Sequence, residues 1–420
     1  MRYIGIGLLL LLQPLLVLRA PAQPGTRQHP WVSSWAAAQM SAEPQNMLPE
    51  SKRHDVTLRQ IVHLSLGGDQ LQIRLSNAFG TTALTIDSVR VGIPVSASQP
   101  DIQPGTDRAV TFNRHDGISI PAGADYISDP IDLAAAPLSN VAVSFHFLDL
   151  PEEETAHPGS RATSYLRAGN AAVDPKFEGA FKTEHWFFLS ELDVRAAQIT
   201  ADSVAVLGDS ITDGHGATTD ANNRWTDILA QRLQQDSHTR NSAVINLGVG
   251  GNRLLHDGLG PNALARLDRD ILARPGVRYL VVLEGINDLG TLARTATASD
   301  ADHEALVRDI IAAYEQIIRR AHQHQILVYG ATVLPDRGSV YYHPDAANEA
   351  DRQAVNQWIR TPGNFDAVID FDSSVKDPQQ PDRLLPSFDS GDHLHPSAAG
   401  YEVMGDSIPL TLFGASGRKR

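Results

Sequence analysis

The sequence predicts a two-part chain: an all-β sandwich-like domain followed by an α/β domain whose parallel sheet carries helices on both faces. Three observations support this. Apolar residues recur with period two between Val56 and about Val194, and after about Thr200 the rhythm changes to short apolar runs separated by helical stretches. The length, 420 residues of which 42% are hydrophobic, accommodates two cores.

In the first part, "LQIRLSN" turns Leu71, Ile73 and Leu75 to one side, and "VAVSFHFL" does the same with Val141, Val143, Phe145 and Phe147. This is the pattern of strands buried on one face. The turn clusters "LGGDQ", "PAGAD" and "HPGS" separate such strands as in a sandwich. In the second part the runs Val204–Leu207, Ala243–Ile245, Tyr279–Leu283, Ile326–Tyr329 and Val368–Ile369 are candidate strands. Helical patterns lie between them at Trp225–Leu233, Ala263–Ala273, His303–His322 and Asp345–Ile359, with a last one from Ser397. Repeated alternation of this kind needs crossovers, hence parallel pairing. The expected bounds are 31–198 for the β domain and 199–415 for the α/β domain, with residues 31–55 fitting either the sandwich or a bridge.

The opening "MRYIGIGLLLLLQPLLVLRAPAQPG" has Arg2, an apolar run from Ile4 to Leu18 and the small-residue pattern Ala20-Pro21-Ala22. That is the architecture of a secretory signal peptide over residues 1–22, cleaved near Ala22. The run falls short of the roughly 20 residues a membrane span requires. A secreted or periplasmic protein with no membrane span after cleavage is therefore expected. The formal net charge of −14 disfavours phosphate backbones, so nucleic acid is excluded as a partner. Cysteine is absent, which removes disulfides, thiolate metal sites and a cysteine nucleophile.

Ligands of such sheets bind beyond the carboxyl ends of the strands, so the loops after the runs carry the functional reading. "GDSITDG" follows the first run and offers Ser210, a hydroxyl that becomes a nucleophile only with a base and nearby backbone donors. Asp209, Ser210 and Thr212 capping a turn is an equally good account of the motif alone. "DHLHP" then supplies Asp392 and His395, three apart, so that the carboxylate can accept from one ring nitrogen while the other takes the serine proton. A carboxylate capping the helix near Ser397 fits the same residues. His393 competes with His395 and is given a surface or structural role. Asn287, in "EGINDLG", is a neutral donor suited to an oxyanion hole or an Asn-Asp turn. Gly251, in "GVGGN", is a close-approach glycine or a plain turn. Asp213 is read as a turn residue, and Asn252 is given no role.

Together "GDSITDG", "GGN", "GIND" and "DHLHP" resemble the four sequence blocks of the SGNH, or GDSL-type, hydrolases over roughly Ala201 to the C-terminus. The N-terminal β region is similar to the extra domain of some exported bacterial relatives. The resemblance implies a flavodoxin-like α/β/α sandwich and a serine esterase. It assigns Ser210 as nucleophile, His395 as general base then acid and Asp392 as its orienter. The oxyanion hole it implies is formed by the Ser210 and Gly251 N–H groups and the Asn287 side chain. "GDSIT" lacks the second glycine of a G-x-S-x-G elbow, which argues against an ordinary α/β-hydrolase.

No metal or cofactor is required, since the chain has no H-E-x-x-H or equivalent cluster. The expected substrate is a small-molecule or polysaccharide ester, with O-acetyl on carbohydrate favoured. A lysophospholipase, thioesterase or arylesterase would use the same catalytic set. The rival of another class is a non-catalytic glycan binder presenting Trp31, Trp35 and "HWFFL" as stacking surfaces.

Overall fold

The computed structural model describes residues 29–294 and 298–414. The signal-peptide reading of residues 1–22 lies outside these. Between Trp31 and Arg195 the chain forms antiparallel sheets. A four-stranded sheet is built from Trp31–Ala36, Leu189–Arg195, Leu71–Ser76 and Asp125–Ile127, in that spatial order. A six-stranded sheet has His54–His63 and Asn140–Asp149 at its centre, paired antiparallel. The period-two residues form one core from both sheets, with Leu71, Ile73, Leu75 and Leu192 from the first and Leu58, Val62, Val143 and Phe145 from the second. Burying alternate side chains of two facing sheets is what the alternation encodes.

The second half is a five-stranded parallel sheet. Its strands are β1 (Asp202–Gly208), β2 (Ser242–Gly248), β3 (Val277–Leu283), β4 (Leu327–Ala331) and β5 (Ala367–Ile369). Their spatial order is β2-β1-β3-β4-β5, and every pair is parallel. The order doubles back at β1, so the crevice beyond its carboxyl end is the switch point at which such sheets bind ligands. Val204, Val206, Leu280 and Val282 are fully or almost fully buried, as strands covered on both faces must be.

The helices are α1 (Ser210–Asp213), α2 (Trp225–Gln235), α3 (Ala263–Leu267), α4 (Ile286–Ala293), α5 (Asp300–Gln323), α6 (Ala346–Arg360), α7 (Phe371–Val375) and α8 (Ala398–Ser407). Reciprocal side-chain caps start two of them, Ser299 with Asp302 for α5 and Asp345 with Asn348 for α6. The helix expected over Ala263–Ala273 is α only to Leu267 and widens into a π turn over Asp268–Leu272. Among the described residues no helix is long and apolar enough to cross a membrane.

Candidate active site

Strand β1 ends at Gly208, and the chain turns at once into α1. The Asp209 carboxylate accepts from the Ile211 N–H at 2.9 Å, so the cap is Asp209, and Ser210 is the first helical residue with its hydroxyl unused by the turn. Its Oγ lies 2.8 Å from His395 Nε2. The turn fits because β2 ends in Gly248: a Cβ there would stand 2.3 Å from the Asp213 nitrogen, closer than backbone tolerates. In the first helical turn the Ser210 N–H has no intrahelical acceptor.

His395 Nδ1 is 2.6 Å from Asp392 Oδ2, while Asp392 Oδ1 accepts from the Leu394 and His395 N–H groups at 3.0 and 2.8 Å. Burial opposes the charge on Asp392, but the bonds from the His395 side chain and these amides outweigh it and hold the carboxyl well below the usual carboxylate range. The cap of α8 is Ser397, whose Oγ accepts from Gly400 N–H, so Asp392 serves His395 and not the helix. His393 is half-exposed and bonded through Nδ1 to Asp389 at 2.5 Å.

Asn287 is buried one residue inside α4. Its Oδ1 accepts from the Tyr342 hydroxyl at 2.6 Å, and its Nδ2 donates to the Asn252 carbonyl at 2.8 Å. Tyr342 thus fixes which way the amide points and leaves one amide proton uncommitted among the described residues. Gly251 has φ +71°, a backbone that favours glycine, whereas a Cβ there would meet only the movable side chain of Leu259. Of the adjacent glycines, Gly250 and not Gly251 lines the pocket with Ser210.

Below this layer a buried guanidinium ties the strand ends together. Arg266 donates to the carbonyls of Gly208 and Leu247, to Asn252 Oδ1 and to Asp270, and reaches Glu284 at 3.4 Å. Asn252, given no role from sequence, therefore links Arg266 to Asn287. Around it burial raises the carboxyl of Asp209 to about 7, against the Ile211 N–H. Burial, helped by the charge of Asp209, raises Glu284 as well. Asp288 accepts from the Leu254 and Leu255 N–H groups at 2.8 and 3.1 Å and so anchors the "GGN" loop to α4.

Several participants were not foreseen. The His215 ring sits 4.0 Å from that of His395 and accepts at Nδ1 from Arg161 Nη2 at 3.0 Å. Burial, with His395 and Arg161 nearby, lowers His215 to about 4. Asp213 is more than a turn residue. Its carboxylate is buried 2.8 Å from Nε2 of His157, a β-domain residue whose Nδ1 faces the Ala38 carbonyl at 2.7 Å. The pocket over Ser210 has a volume of about 260 Å³ and is lined from both domains, with Asn46, Arg161 and His185 from one and Ser210, His215 and Gly250 from the other. His215 directly follows "GDSITDG", and its nearness to Ser210 in sequence was a usable signal. Nothing local marks Arg161.

Most of the aromatic surfaces proposed for a glycan binder are core: Trp35 and Trp186 pack edge to face with centroids 4.9 Å apart and Phe187 to Leu189 are fully buried, whereas Trp31 is half-buried and His185 lines the pocket over Ser210. His215, Asp392 and His395 present metal-capable atoms within 4.8 Å of one another. His215 Nδ1 is bonded to Arg161, His395 Nε2 to Ser210 and His395 Nδ1 to Asp392, and His215 Nε2 lies 3.7 Å from Asp392.

A serine and histidine joined at the carboxyl end of β1, in a parallel sheet of order 2-1-3-4-5, define a hydrolase of α/β/α architecture. Residues 206–403 match the GDSL-like Lipase/Acylhydrolase family, so the C-terminal half of this chain carries a GDSL-like lipase/acylhydrolase domain, preceded by an antiparallel β region. No curated protein matches the chain. Among solved structures it is similar to a GDSL-like lipase from Bacteroides thetaiotaomicron, with 20% identity over 49% of this chain and 85% of that one, TM-score 0.34. It is also similar to an acetyl xylan esterase, AlAXEase, with 18% identity over 49% and 96% and TM-score 0.36. A third is an α/β hydrolase from the metagenome of Lake Arreo, Spain, with 18% identity over 49% and 92% and TM-score 0.36.

Proposed function

We propose that this protein is an exported serine esterase that removes short acyl groups, O-acetyl on carbohydrate in particular, through an acyl-enzyme on Ser210. The observation that carries the reading is the unbroken chain from Ser210 Oγ to His395 Nε2 at 2.8 Å and from His395 Nδ1 to Asp392 at 2.6 Å. His395 takes the Ser210 proton, and Oγ bonds to the ester carbonyl carbon. The N–H groups of Ser210 and Gly251 and the Asn287 amide hold the resulting oxyanion. The bond to the alcohol oxygen then breaks as His395 returns the proton to it. A water, deprotonated by His395, attacks the acyl-enzyme, and the acid leaves with Ser210 restored. Asp392, kept ionised, holds the imidazole with Nε2 toward serine and stabilises it when protonated. A pocket of this small volume, lined by Met40, Val249 and Leu259 beside polar groups such as Asn46 and His185, suits a short acyl group better than a lipid chain.

The test is labelling by a fluorophosphonate, followed by rates on 4-nitrophenyl acetate and palmitate. Wild type is expected to be labelled and to prefer acetate, and Ser210→Ala to lose both label and hydrolysis while folding normally. Release of acetate from an acetylated polysaccharide then checks the carbohydrate part. Absence of label on folded wild type would refute the mechanism, and a preference for palmitate would refute the short acyl group.

A further inference from the structure

Arg161 belongs to the β domain, in the loop between the strands Thr155–Pro158 and Ser164–Ala168. It stands in the wall of the pocket that contains Ser210. Its backbone adopts φ +50°, a left-handed conformation that costs a side-chain-bearing residue free energy and persists where surroundings enforce it. Here they do. The Asp220 N–H donates to the Arg161 carbonyl at 3.0 Å, and the Asp220 carboxylate accepts from the N–H and hydroxyl of Thr163, each at 2.7 Å. Arg224 donates to the Ser160 carbonyl. The hydrolase domain thus grips this loop on both sides of Arg161 and fixes its guanidinium over the site.

Among the described residues no carboxylate is paired with this charge: Glu43 and Asp213 line the same pocket, and Asp213 is bonded to His157. The side chain's hydrogen bond is to the neutral acceptor His215 Nδ1. Its Nε is shielded from solvent without a partner, and among the described residues the guanidinium forms no ion pair. A partly buried guanidinium normally carries a carboxylate, because desolvation of the cation is otherwise uncompensated. The geometry also says which part of a substrate it would meet. The leaving alcohol must lie toward His395, which protonates it, while the carbonyl oxygen points to the opposite side, at Gly251 and Asn287. His215 packs on His395 at 4.0 Å between centroids, and Arg161 is bonded to His215, so the guanidinium flanks the alcohol side.

We infer that Arg161 is a specificity residue that binds a carboxylate on the alcohol portion of the substrate, so that the preferred substrates are acyl esters of acidic alcohols such as uronate sugars. This rests on the esterase reading of Ser210. Planar two-pronged donation to a carboxylate is what a guanidinium provides and an ammonium does not.

The test compares hydrolysis of 4-acetoxybenzoate, charged on the alcohol side, with neutral 4-acetoxybenzamide, in wild type, Arg161→Gln and Arg161→Lys. Mono-4-nitrophenyl succinate and 4-nitrophenyl butyrate form the pair charged or neutral on the acyl side. The benzoate-to-benzamide ratio of kcat/KM is expected to fall roughly ten- to a hundredfold in Arg161→Gln, the worth of a charge-assisted hydrogen bond. Arg161→Lys should retain part of the ratio, and added salt should reduce it in wild type. An unchanged ratio with both esters slowed equally would make Arg161 a structural support of His215 and overturn the inference. A change confined to the succinate pair would overturn the alcohol-side assignment. Wild type that resists fluorophosphonate and hydrolyses none of these esters would instead bring down the esterase reading itself.

Discussion

At the scale of single residues the site is a set of titrating groups whose surroundings push them apart. Asp392 is held ionised by donated hydrogen bonds, while Asp209, next to Ser210, and Glu284, three residues before Asn287, are raised by burial. His215 is the clearest case on the basic side, lowered from 6.5 to about 4 by burial and by its neighbours His395 and Arg161. Its consequence for stability has a definite sign. Between those two values the unfolded chain binds a proton at this histidine that the folded chain refuses, so folding stability rises with pH across the window and is lost as pH falls. Asp209 and Glu284 work in the opposite sense, because a raised carboxyl binds protons better when folded. The measurement is therefore a difference. The stability of His215→Gln minus that of wild type, from urea melts at several pH values, should grow as pH falls from about 7 toward 4. A difference independent of pH would show that the folded protein protonates His215 as readily as the unfolded chain does.

At the scale of elements, the catalytic loops are held in register by Arg266, a buried cation bonded to the ends of β1 and β2 and beside Glu284 at the end of β3. It projects from α3 just before the π turn, which carries its partner Asp270. Replacing it with methionine nearly keeps the volume but removes one of the two guanidinia on Asp270, which retains Arg269, and takes a donor from the Gly208 and Leu247 carbonyls. Breaking a buried pair on one side costs about 3 to 5 kcal/mol, so Arg266→Met should show a loss of that order in chemical denaturation, and kcat should fall with it as Gly208 and Asn252 drift. A stability within about 1 kcal/mol of wild type, the ordinary span of a surface pair, would mean that the strand ends are set by the sheet alone. The strands and the meeting of Ser210, His395 and Asp392 were legible in the sequence because each is written locally. An apolar run codes its own burial, and Ser210, Asp392 and His395 sit in short motifs. Arg266, Tyr342 and Arg161 were not legible, because their meaning depends on which distant carbonyl, amide or ring they meet. Asp213 was misread for the same reason: its partner, His157, lies in the other domain.

At the scale of the whole molecule, the two halves meet through groups that neither could bury alone. The edge of the parallel sheet at β2 is covered by the β region: the Val244 N–H donates to Ser65 Oγ at 2.9 Å, and the Ser33 N–H to the Pro275 carbonyl at 3.0 Å. An exposed strand edge invites aggregation, so this cover protects the hydrolase half. Glu191, fully buried in the β domain, pairs at once with Arg74 of its own domain at 2.6 Å and with Arg274 of the other at 3.0 Å. Burial opposes its charge, but Arg274 and Arg74 prevail and lower it, while burial and the adjacent Glu191 raise Asp193, so one carboxylate faces two guanidinia. Separating the domains would therefore break this charge cluster, the His157–Asp213 pair and the pocket wall together. Such coupling predicts one cooperative unfolding event for the chain, with activity and secondary structure lost at the same temperature. In calorimetry the wild type should give a single endotherm, and Glu191→Gln, which removes the charge but keeps the shape, should lower its temperature and split it into two. Two resolved endotherms in wild type, with ester hydrolysis surviving the first, would show that the hydrolase half stands by itself.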